Sequence, residues 1–191
     1  MTNPAEPMTD TADGLVRVLE AIKASLQAKF PLCHVDLFNP ASPDEQGNNS
    51  GDLQTPAILI NLEQMPATGD NDDRDSIQGR FALHCILGNE TPNLAIEIRA
   101  MSAAVLSHVR KNGSWLPGQR MTDPPTDIYA IPGYFSSRPN TGYDSWMVLF
   151  EQVLHLGPSH WDGSTARPQR VFVARSTDGT TEPKQEHEQA I

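Results

Sequence analysis

Residues 77–111, IQGRFALHCILGNETPNLAIEIRAMSAAVLSHVRK, decide the fold, because the apolar period changes within them. Over residues 77–87, Ile77, Phe81, Leu83, Cys85 and Leu87 fall on one side of a period-two pattern, which predicts a strand. Thr91-Pro92 then offers a hydroxyl cap followed by proline at the first helical position. Beyond it, Leu94, Ile98, Met101, Val105 and Val109 recur at helical spacing, and Ala100, Ala103 and Ala104 permit close approach. Arg110 and Lys111 suit the negative end of the helix dipole, and Gly113 is placed to end it. A strand passing directly into an amphipathic helix predicts a sheet with helices laid on it.

The segments upstream extend this pattern. In residues 56–64, Ile58, Ile60 and Leu62 alternate with Leu59, Asn61 and Glu63, so this second strand pairs with 77–87 as an antiparallel hairpin. Residues 65–75 form its long acidic tip. Residues 33–38 predict a short strand with Cys33, Val35 and Leu37 on one face, and residues 39–55 are turn-formers. Before them, Asp13 caps a helix to Lys29 whose stripe is Leu15, Val18, Leu19, Ile22 and Leu26. Pro31 stops it by pushing Phe30 out of the helical region.

Downstream, residues 113–125 read as loop and 127–131 as a short strand. Residues 145–156 form a long strand with two apolar faces, Trp146, Val148, Phe150 and Leu154 against Met147, Leu149 and Val153. Such a strand is covered on both sides, by its own chain or by a partner. The expected class is α+β, a mainly antiparallel sheet with two helices packed on it, in the order α, β, β, β, α, β, β. Residues 1–10 are expected to be a flexible arm and 11–157 the folded domain. Residues 158–191 are expected to be an extended polar tail, with a possible strand only at 171–174 and disorder from 176.

Composition narrows the function. At 191 residues the chain supports one domain with a core. Its net charge of −10 does not suit a protein that grips nucleic acid through phosphates, although a negative surface lets DNA slide past. No apolar run reaches the roughly 20 residues that span a bilayer, and the acidic N-terminus does not fit a secretory leader. Two cysteines make no disulfide framework, so the expected setting is a reducing cytoplasm or a particle assembled in one.

The motifs of common enzymes are missing: no GxGxxG, no phosphate-binding Walker loop, no GxSxG and no HExxH. Cys33-His34 and His84-Cys85 place neighbours on opposite strand faces, so four ligands cannot converge on one zinc. The run Asp70, Asn71, Asp72, Asp73, Arg74, Asp75 fails the calcium-loop template, with Asp75 at its sixth position and Phe81 at its twelfth. It reads as a solvated hairpin tip; the functional reading beside this is that the tip projects negative charge toward a channel or partner. Six histidines are scattered with no partner predicted by spacing. No catalytic residue, cofactor or metal site is therefore expected, and the chain is read as non-enzymatic. Trp115, Tyr134, Phe135 and Trp161 lie outside the expected elements. They are candidates for interface anchors, or fold back as lids over sheet edges.

Over residues 11–157 the chain resembles the tail terminator proteins of tailed bacteriophages, including those of Mu-like and lambda-like phages. The resemblance rests on the opening helix, the hairpin 56–87 with its polar tip, and the Ala-rich helix ending in Lys111-Asn112-Gly113-Ser114-Trp115. It rests also on the late strand Trp146-Met147-Val148-Leu149-Phe150-Glu151-Gln152. The resemblance implies a structural protein of the virion, located in the neck region of the tail and assembled in the host cytoplasm. It would form a homo-hexameric ring on the head-proximal end of the tail tube. That ring would stop polymerisation of the tube protein, dock the head-completion or connector protein, and pass DNA through its lumen without sequence-specific binding. No membrane and no cofactor is implied. Asp70, Asp72, Asp73 and Asp75 would then face the lumen or tube. The 39–55 loop and the tail are less typical of the family and take no role from it. Three alternatives stand beside this reading: another head–tail joining or tail-completion protein, a small cytoplasmic α/β enzyme or ligand-binding domain, and a monomeric adaptor using its loop aromatics.

Overall fold

The change of period marks a real boundary: β3 (Asp75–Gly88) is followed after five residues by α2 (Leu94–Lys111). The computed structural model describes residues 10–38, 53–68, 75–119, 121–133 and 142–156. The expected N-terminal arm up to residue 9, most of the 39–55 loop, the strand at 171–174 and the tail from 158 lie outside these. The other elements are α1 (Asp10–Lys29), β1 (His34–Leu37), β2 (Ala57–Gln64), β4 (Thr126–Pro132) and β5 (Tyr143–Leu156).

The five strands form one sheet in the order β1-β2-β3-β5-β4. Only β1 with β2 is parallel; the other three pairings are antiparallel, so the sheet is mainly antiparallel and the class is α+β. β3 and β5 pair along all 14 residues, from Asp75↔Leu156 to Gly88↔Tyr143. The hairpin of β2 and β3 runs further toward its tip than the polar composition predicts. Gln78 N–H donates to Pro66 O at 2.9 Å and Thr68 N–H to Ser76 O at 3.0 Å. Backbone pairing needs no apolar side chain, which is why residues 66–68 are paired despite reading as loop.

One face carries both helices. Val18, Ile22 and Leu26 of α1 and Ile98, Val105 and Val109 of α2 are buried against Val35, Ile58, Ile60, Leu83, Val148 and Leu154. Phe81 lies opposite Phe150 in register, with the rings stacked at 4.9 Å. Gly79 makes room for this pair, since a Cβ there would sit 2.7 Å from Cε2 of Phe81. The guanidinium of Arg99 stands 5.3 Å above the Trp146 ring, holding the first half of α2 over β5. On the other face, Ala82, Met147 and Leu149 form a smaller buried cluster with Ile131 packed on it. Both faces of β5 are therefore apolar and buried at its centre, as its sequence requires.

Three local expectations are corrected. α1 begins at Asp10, so Asp13 sits inside its first turn, exposed, and is not the cap; a carboxylate is favourable at either place near the positive helix end. Thr91-Pro92 does not start α2. Thr91 N–H closes a turn onto Gly88 O, and Asn93 takes the N-cap position in the left-handed region (φ 53°) without a side-chain cap bond. Asparagine is tolerated there, which moves the helix start two residues on. At the other end Asn112 N–H bonds to His108 O and Val109 O in extended conformation, so no left-handed glycine is needed at Gly113. No helix among the described residues is long and apolar enough to cross a membrane.

Candidate functional site

Of the four acidic residues expected to face a lumen or tube, Asp75 is described; Asp70, Asp72 and Asp73 lie outside the described residues. Asp75 is the exposed first residue of β3 and accepts a 2.6 Å hydrogen bond from Thr11 Oγ1 in the first turn of α1. The root of the hairpin tip is thus fastened to the helical layer. Tyr134, Phe135 and Trp161 also lie outside the described residues.

Trp115 is the correction among the aromatics. It is only 4% exposed and belongs to the chain's own core. Ser114 Oγ donates to Leu116 O and Gln119 N–H closes onto the same carbonyl, a tight turn that tucks the indole under α2. There it packs beside Phe150 and His108, and its Nε1–H donates to Gln152 Oε1 at 2.7 Å. A loop aromatic with a satisfied N–H is a lid over the core, and this one is not free to anchor a partner.

The mirrored Cys–His pairs separate as strand alternation demands. Cys85 is buried toward the helices, where burial pushes its thiol up to about 12; burial also raises the half-buried Cys33 thiol. His84 faces the opposite side, its ring 5.3 Å from that of Phe38, and burial lowers it to about 4. No group of three or more His, Cys, Asp or Glu side chains is placed to hold a metal among the described residues.

The structure assembles two histidine clusters that spacing did not reveal. His108 Nε2 lies 3.0 Å from Ser25 Oγ, which also accepts from Asn112 Nδ2 at 3.2 Å, and the ring packs edge-on to Phe30. This clasp joins the C-terminal ends of α1 and α2. Burial, with the nearby Lys29 charge, lowers His108. The second cluster has catalytic residue types. Ser76 Oγ is 3.0 Å from His155 Nδ1, and His155 Nε2 is 3.2 Å from Asp123 Oδ1. Only the cross-strand register Ser76↔His155 brings the first two together. Nucleophilic catalysis needs a reachable hydroxyl and a carboxylate held away from water. Here the burial is reversed, with Ser76 6% exposed and the Asp123 side chain 53%. Backbone bonds from His155 N–H to Met121 O and from Asp123 N–H to Val153 O run alongside. The trio is a tie that binds residues 121–123 to the end of β5.

The polar strip continues along this face through Gln78 Nε2 to Glu151 Oε2 at 2.6 Å and Arg80 to the Tyr129 hydroxyl at 3.2 Å. Compared with models of known protein families the chain matches none, and no curated protein is matched either.

Proposed function

We propose that this chain is a structural subunit of a phage tail, of the tail terminator kind. It assembles as a homo-hexameric ring on the head-proximal end of the tail tube, stops addition of tube protein, and presents its outer face to the head-completion or connector protein. DNA passes through the ring. The observation that carries the reading is the arrangement of the elements named in the resemblance. The opening helix and the Ala-rich helix lie together on one face of the sheet, in which β2 and β3 pair antiparallel. A chain of net charge −10 suits a passage that repels phosphate.

The enzyme alternative would draw on Ser76, His155 and Asp123, and their inverted burial counts against it. Another head–tail joining role would use the same assembly and differ only in the partner capped. The deciding experiment is electron microscopy of particles made without this protein. Overlong or headless tails support termination; tails of normal length joined to heads overturn it.

A further inference from the structure

Two apolar side chains stand furthest out of the described surface, Leu32 at 88% and Ile96 at 68% exposed. Leu32, with exposed Pro31 beside it, forms the turn that leads from α1 into β1, the edge strand on one side of the sheet. Ile96 lies on the face of α2 turned away from the buried stripe Ile98, Ser102, Val105 and Val109. α2 rests on β3, β5 and β4, toward the other side of the sheet. Around Ile96, Ala100, Ala103 and Ala104 are also exposed, so the helix surface there is apolar and shallow. Exposed Lys29 stands in the last turn of α1 and exposed Glu97 in the first turn of α2, while Arg99, also exposed, has its guanidinium turned over the Trp146 ring.

We propose that the Pro31-Leu32 turn of one copy docks on the Ile96–Ala100 surface of the next copy, with Lys29 of the first meeting Glu97 of the second. This rests on the ring reading above and names the two surfaces that meet. A projecting leucine can pack on the small exposed alanines beside Ile96, and burying both apolar side chains removes the most exposed apolar surface described. Because the patches are different and lie toward opposite sides of the sheet, the contact is head-to-tail. Each copy that docks leaves its other patch free for another, and a closed rotation ends the series as a ring. Electrostatic pairing at the rim sets the register of the contact.

The test measures the mass of the full chain by light scattering and sedimentation, with rings viewed by electron microscopy. Leu32→Asp, Lys29→Glu and Glu97→Lys alter exposed side chains, and circular dichroism checks that each remains folded. Each is expected to weaken association at least tenfold. A mixture of Lys29→Glu and Glu97→Lys chains is expected to recover it, since every junction then pairs opposite charges again. Rings that persist in all three variants overturn these surfaces and leave the ring reading standing. Loss in the single variants without recovery in the mixture overturns the pairing of Lys29 with Glu97. A wild-type chain that stays monomeric at every concentration, and does not join tail tubes, overturns both.

Discussion

Trp115 donates its indole N–H to the side-chain oxygen of Gln152 at 2.7 Å, and Gln152, 1% exposed, passes its own amide N–H to the carbonyl of Asp123. One buried amide thereby holds the loop after α2 and the segment before β4 against the same strand. Both polar ends are satisfied, so the arrangement costs little until one partner is removed.

Gln152→Leu is therefore expected to destabilise the fold by about 1–3 kcal/mol, the cost of leaving a buried donor unmatched. Trp115→Ala, which also opens a cavity, is expected to cost about 3–5 kcal/mol. Urea denaturation of the isolated chain checks both. A Trp115 that anchored a partner would instead leave the denaturation midpoint of the isolated chain unchanged.

Gly79→Ala is expected to destabilise by about 1–3 kcal/mol through overpacking. Its added methyl would press on the edge of the Phe81 ring, which is already stacked on Phe150 at 4.9 Å. Thermal melts should show the loss, and Gly79→Ala combined with Phe81→Leu should recover part of it. An unchanged melting temperature in Gly79→Ala would mean the ring has room to move.

The arrangement of the sheet was legible wherever one residue type could do only one thing. The alternation of residues 77–87 and the two apolar faces of residues 145–156 became the central strands β3 and β5, because no other burial satisfies both patterns. What stayed hidden depends on register. Ser76 and His155 are 79 positions apart and meet only because β3 and β5 pair without a bulge. Trp115 was ambiguous for a related reason: alternation puts its partner Gln152 on the face of Phe150 and Leu154, but nothing local says that a loop residue 37 positions away reaches it.

Stability should fall as pH drops below neutrality. Burial lowers His84 to about 4 in the folded chain, against about 6.5 unfolded. Between those values the unfolded state binds the extra proton, so the contribution is fully present above about pH 6.5 and is lost as pH falls toward 4. His108, lowered by burial and by Lys29, acts in the same direction. The loss from His84 is on the order of 2–4 kcal/mol. Urea midpoints from pH 7.5 to pH 4 check the slope, and His84→Phe should flatten it; an unaltered slope would assign the effect to other groups.

The Ser76, His155 and Asp123 trio makes opposite predictions as a tie and as a catalytic centre. As a tie, Ser76→Ala removes a buried hydrogen bond and should cost about 0.5–1.5 kcal/mol. Asp123→Asn should cost less, because the carboxylate is half exposed and the solvent screens its pull on His155. Neither should change a hydrolytic rate, since an activated ester would be cleaved no faster by the wild-type chain than by Ser76→Ala. A serine nucleophile would behave otherwise: the wild-type chain would release the leaving group in a burst, and Ser76→Ala would abolish it while leaving the denaturation midpoint nearly unchanged. The geometry favours the first outcome, because Ser76 is buried and its hydroxyl is held by His155 while the carboxylate of Asp123 is half exposed.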